Sequence, residues 1–117
     1  AIIITHSYLK KSAAYTTQGK AIFEKIVKAN PNVFLVLCGH CRDISYKNVQ
    51  LDDDGDGNPD RTVYAILSNF QGGKAGGGGY MRILDFRDSD IYIYTYSPYY
   101  DSCEYPKGKT EATVPLP

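Results

Sequence analysis

Apolar residues run unbroken through Ile2-Ile3-Ile4 and again through Val33–Cys38, and between them they recur at helical spacing. Ile22, Phe23, Ile26 and Val27 form that spacing within Gly19–Asn30, with Lys20, Glu24, Lys25 and Lys28 on the wet side. Asn30-Pro31-Asn32 ends the helical pattern, because proline cannot continue it. Two continuous apolar runs flanking an amphipathic helix predict a parallel βαβ unit with strands at 1–5 and 33–38. Lys10–Gln18 is polar and reads as a loop.

The pattern then changes to alternation. Ile44–Leu51, Arg61–Asn69, Tyr80–Phe86 and Ile91–Tyr96 each alternate apolar and polar positions, and turn-forming stretches separate them at 52–60, 71–79 and 87–90. This predicts an antiparallel meander after the βαβ unit, an α/β chain overall. Residues 101–117 are rich in Pro, Lys and Thr and read as a loop-like tail.

Composition narrows the classes of function. Thirteen basic residues balance thirteen acidic ones across 117 residues, so no net field draws in nucleic acid or an anionic membrane surface. The longest apolar run is far too short to span a bilayer. Eleven tyrosines and no tryptophan suit half-buried strands. Tyr92, Tyr94 and Tyr96 share a face by alternation, and with Tyr99 and Tyr100 they fit either a carbohydrate surface or plain sheet packing. Of the three cysteines, Cys38 reads as a buried thiol, while Cys41 and Cys103 are a candidate disulfide in an oxidising compartment. The Cys-x-x-Cys spacing of Cys38 and Cys41 closes a strand rather than opening a helix, which argues against redox chemistry.

The chain has two histidines, and each directly follows one of the two apolar strands: Ile3-Ile4-Thr5-His6 and Leu37-Cys38-Gly39-His40. In open α/β sheets ligands gather at the carboxyl ends of parallel strands, so both imidazoles are expected at one crevice, where neutral rings suit a divalent metal. Gly39 is expected to let the backbone turn sharply there. The plain alternative is two strand-end histidines that each satisfy one hydrogen bond.

At these residues the chain resembles the calcineurin-like metallophosphoesterases. Thr5-His6-Ser7-Tyr8-Leu9, a helix, and Asn32–His40 look like the last two motifs of that family. Tyr64–Gln71, Gly78–Leu84 and Thr95–Pro98 resemble the sheet that follows in secreted or cell-surface bacterial members. The resemblance spans roughly residues 1–100 and implies the C-terminal half of a four-layer α/β/β/α sandwich. It also implies a dinuclear centre of manganese, iron or zinc that holds His6 and His40 as ligands. In such a centre two metals clamp a phosphoester and activate a water for in-line attack. The earlier motifs, with their aspartates, asparagine and further histidine, would come from an N-terminal half lying before Ala1. The last motif is usually Gly-His-x-His, whereas Gly39-His40-Cys41-Arg42 places a guanidinium at the final ligand position. Arg42 suits a phosphate oxygen better than a metal. The resemblance therefore implies a phosphoester hydrolase fragment of a bacterial protein, secreted or on the cell surface and inactive alone. The alternative is a non-catalytic secreted binding module on the same scaffold, stabilised by calcium. Both apolar strands with a single covering helix also predict self-association of the fragment.

Asp52-Asp53-Asp54-Gly55-Asp56-Gly57-Asn58-Pro59-Asp60 sets carboxylates at alternating positions around glycine turns. That alternation suits calcium, with Asp52, Asp54, Asp56 and Asp60 as candidate ligands. Val63 stands where an EF-hand would need glutamate, so a solvated acidic turn is the competing reading. Gln71–Gly79 lacks P-loop spacing and precedes a strand, so it reads as a flexible connector rather than a phosphate cradle.

Overall fold

The structure, a computed structural model, describes residues 1–103, 105 and 111–117. The chain divides into two compact units, Ala1–Asn69 and Phe70–Pro117. Both contain sheets, and the fold is mixed α/β with little helix.

The first unit is a four-stranded sheet. Strands β1 (Ile2–Thr5), β2 (Leu35–Cys38), β3 (Asp43–Leu51) and β4 (Arg61–Asn69) lie in the order β1-β2-β4-β3. β1 and β2 are parallel neighbours joined through a helix, as the two apolar runs predict. β2 and β4 are also parallel, and β3 folds back antiparallel on β4. The predicted single meander is therefore split: the hairpin of β3 and β4 completes the first sheet.

Register puts Ile3, Val36, Ala65 and Leu67 on one face. There they pack with Tyr8, Leu9, Phe23 and Val27 from the helical layer and its approach loop. Ile4, on the opposite face, is 81% exposed, whereas Leu35 and Ile66 on that face are buried.

Helix α1 (Thr17–Ile22) begins earlier than the apolar stripe suggests, because Thr16 caps it: its hydroxyl oxygen accepts from the Gly19 amide at 2.9 Å. Gly19 sits where a Cβ would lie 2.0 Å from the Tyr8 carbonyl oxygen, so only glycine lets the helix start this close to the Tyr8 backbone. The helix continues as a π turn over Phe23–Val27, closed by the Lys28 amide donating to Phe23 O at 3.0 Å. This wider turn rotates Ile26 off the buried stripe, which explains its 47% exposure against the buried Phe23 and Val27.

The second unit is the antiparallel sheet β5-β6-β7, formed by Met81–Phe86, Asp90–Tyr96 and Ala112–Pro115. Ile91 and Ile93 on β6 are fully buried. Ala112–Pro115 corrects the loop-like reading of 101–117, since it pairs with Asp90–Ile93. Position 104 and positions 106–110 of that stretch lie outside the described residues. The glycine-rich connector contains a turn over Lys74–Gly77 in which Ala75, Gly76 and Gly77 all have positive φ.

Candidate metal centre

β1 and β2 run parallel with Thr5 opposite Cys38, so the chain leaves both strands side by side. The ladder continues one step further, where the Gly39 amide donates to the His6 carbonyl at 3.2 Å. His6 and His40 thus arrive at the same sheet edge, with ring centres 4.6 Å apart and planes at 59°. Both are exposed. An open depression of about 430 Å³ lies here, lined by Ile4, Thr5 and His6 of the first strand end, Leu37, Cys38 and Gly39 of the second, and Ser68, with His40 outside the lining.

His40 itself makes the turn expected of Gly39. Its φ is +62°, and the Cys41 amide donates to Gly39 O at 2.8 Å, a γ-turn centred on a non-glycine residue with positive φ. Gly39 is not left-handed, and a Cβ there would meet nothing closer than 3.9 Å. Such a conformation costs on the order of 1–3 kcal/mol and persists where surroundings enforce it. One enforcing contact is plain: Asn69, at the end of β4, donates its side-chain amide to the His40 carbonyl at 2.9 Å.

The flanks are pinned as well. Ser7, buried directly after His6, donates its hydroxyl to Thr16 Oγ1 at 3.1 Å, tying the strand end to the helix cap. Beyond Arg42, the buried Asp43 pairs with Lys11 at 2.8 Å and also accepts from the Ile44 amide at 2.9 Å. Asp43 has φ +117°. No sequence pattern singled out Ser7, Thr16, Asp43 or Asn69, because each acts across a turn or between strands.

The geometry suits a shared cation. With metal–nitrogen bonds of about 2.0–2.1 Å, two imidazoles on one ion have ring centres roughly 4.5 Å apart when the bonds meet at a right angle and about 5.2 Å apart when they are tetrahedral, so the observed 4.6 Å lies near the right-angled, octahedral spacing. Neither imidazole has a hydrogen-bond partner among the described residues. The donor set is incomplete here, since no third histidine, cysteine or carboxylate joins the pair among the described residues. Arg42 is exposed and makes no hydrogen bond, ion pair or ring contact with the described residues. Cys41 packs against the hydrophobic core. All three thiols are free, and burial pushes the Cys38 thiol above its ordinary range.

In the acidic loop, carboxylate oxygens of Asp52, Asp54 and Asp60 come within 4.8 Å of one another. Asp56 is left out of this group. Its oxygens accept from the Asn58 amide at 2.7 Å and the Asn58 side chain at 3.2 Å, a local turn that holds its carboxyl below the ordinary range. The Gly57 and Gly55 amides, donating at 2.8 and 2.6 Å, depress Asp52 in the same way. Arg61 braces the loop: its guanidinium forks onto Asp53 at 2.5 and 3.0 Å and donates to Val33 O at 2.8 Å and Val27 O at 3.1 Å.

No family model matches the chain, and no solved structure matches it. A curated relative, described only as the uncharacterized protein YvnB of Bacillus subtilis (strain 168), is 48% identical over 101 residues, 85% of this chain. The chain spans about 8% of that relative's length.

Proposed function

We propose that this chain contributes His6 and His40 to the metal centre of a metal-dependent phosphoester hydrolase, as part of a calcineurin-like α/β/β/α sandwich. The observation that carries the reading is the pair of imidazoles 4.6 Å apart at the carboxyl ends of adjacent parallel strands. The remaining donors, carboxylates above all, belong to a part of the domain outside these residues. Divalent ions such as manganese, iron or zinc supply Lewis acidity and an activated water to phosphoester hydrolysis. The chain's own residues have narrower tasks. His6 and His40 offer neutral ring nitrogens from a fixed backbone, the γ-turn and Asn69 set the position of His40, and Arg42 offers its planar fork to a phosphate oxygen. A secreted or cell-surface bacterial setting belongs to the same proposal.

Full-length protein with added manganese should hydrolyse a chromogenic phosphomonoester, and His40→Ala should abolish that turnover. Undiminished activity in the variant would eliminate the assignment.

A second reading has its own support: a non-catalytic secreted module stabilised by calcium. The convergence of Asp52, Asp54 and Asp60 favours it, as does an arginine at the last ligand position of the family motif. Metal analysis separates the two readings. A transition metal retained by full-length protein and lost in His40→Ala supports the hydrolase, and calcium alone supports the module.

A further inference from the structure

The second unit contains a cavity of about 520 Å³ that the metal site does not use. Tyr80, Tyr100 and Tyr105 form its walls and the 72–77 turn forms its floor. That volume falls in the range of small-ligand sites, about 300–1,000 Å³. We propose that this cavity binds a pyranose sugar carrying an anionic group.

The site is pre-formed by a buried hydroxyl. Ser97, with no exposed surface, donates to Gly78 O at 2.5 Å and accepts from the Tyr100 amide at 3.1 Å, so it fixes floor and wall to each other. Ser97 also pairs through its backbone with Ser102, closing the short hairpin that presents Tyr100. Tyr96 steadies that hairpin by donating its phenol to Asp101 at 2.8 Å.

Glycine is favoured where floor meets wall. A Cβ at Gly78, where φ is +63°, would stand 2.5 Å from the Tyr100 ring. The left-handed run extends through Ala75, a non-glycine residue at φ +52°. Strain of this kind is retained where a backbone shape is needed.

Wall geometry identifies the ligand class. Tyr80 meets Tyr105 at 84° and Tyr100 at 40°, with ring centres 5.1 and 5.9 Å apart. No two of these faces are parallel, so the cavity offers no slot for a flat aromatic ring. A pyranose differs: its C–H faces rest on tilted tyrosine rings while its hydroxyls reach phenol oxygens and the glycine backbone. Among the described residues of the lining Lys74 is the charged side chain, and it makes no ion pair with the described residues. Its ammonium favours a carboxylate or phosphate on the sugar over a cation.

The test is calorimetric titration of the chain with a glucuronate-containing disaccharide and with its neutral glucose counterpart. The acidic sugar should bind at least about fivefold tighter, and Lys74→Ala should erase that difference. Tyr100→Ala should weaken both by roughly tenfold or more. Tyr94→Ala, whose ring stacks on Tyr92 rather than lining the cavity, should change either by less than about twofold. Circular dichroism confirms that each variant is folded. The proposal is overturned if neither sugar binds at about 10 mM, if Tyr100→Ala binds as well as the parent, or if inorganic phosphate displaces the acidic sugar at equal concentration.

Discussion

Arg61→Ala separates a structural brace from an ordinary surface ion pair. The guanidinium is 12% exposed and bonds three segments: Asp53 in the acidic loop, Val27 O at the end of the π turn, and Val33 O just before β2. The ion pair with Asp53 alone, partly open to water, is worth about 0–1 kcal/mol. The two carbonyl bonds add more, because hydrogen bonds from a charged donor contribute about 1.5–3 kcal/mol each. Water reaches these carbonyls once the side chain is gone, so the lower value applies and the total is about 3–4 kcal/mol. For a chain of 117 residues that corresponds to a Tm lower by roughly 10–15 °C. Asp53→Asn removes the ion pair but leaves both carbonyl bonds, and should cost no more than about 1 kcal/mol. Urea denaturation of the parent and both variants measures the contrast. Equal losses in Arg61→Ala and Asp53→Asn would refute the brace and reduce Arg61 to a surface charge.

Further outcomes follow from burial and charge. With Ellman's reagent near pH 8, Cys103 and the half-buried Cys41 should react in the folded chain, whereas Cys38, 8% exposed and with its ionisation suppressed by burial, should react only after denaturation. Rapid labelling of Cys38 would contradict its burial. The Gly57 and Gly55 amides depress the Asp52 carboxyl below its ordinary 3.8, so its stabilisation of the loop is complete above that value and is lost as pH falls through the depressed one. The Gly55 and Gly57 amide resonances should therefore titrate with a midpoint below 3.8, and a midpoint above it would contradict the turn.

The strands of the first sheet were legible because their cues are local, whereas the parallel pairing of β4 with β2 was not. Unbroken apolar runs mark β1 and β2, and alternation marks β4 at its observed bounds, Arg61–Asn69. The histidine pair was legible for the same reason: two parallel strands in register deliver the residues after them to one edge. Other features depend on distant partners and leave no local trace. Arg61 reads as one charge at a strand start until Val27 and Val33 fold against it. The left-handed turn falls on His40 rather than the expected Gly39 because Asn69, far along the chain, holds the carbonyl. β7 leaves no local signal because Ala112–Pro115 is short and ends in proline, and it becomes a strand only through its partner β6. Asp56 matched the alternation of a calcium loop, but Asn58 two residues on captured its oxygens.

The proposed metal centre depends on two imidazoles acting on one ion, and a zinc titration followed by imidazole nitrogen NMR tests that most directly. His6 and His40 should shift together along a single saturation curve, and either His6→Ala or His40→Ala should weaken binding by more than about tenfold. Independent curves for the two rings, or undiminished affinity when one is removed, would contradict a shared site.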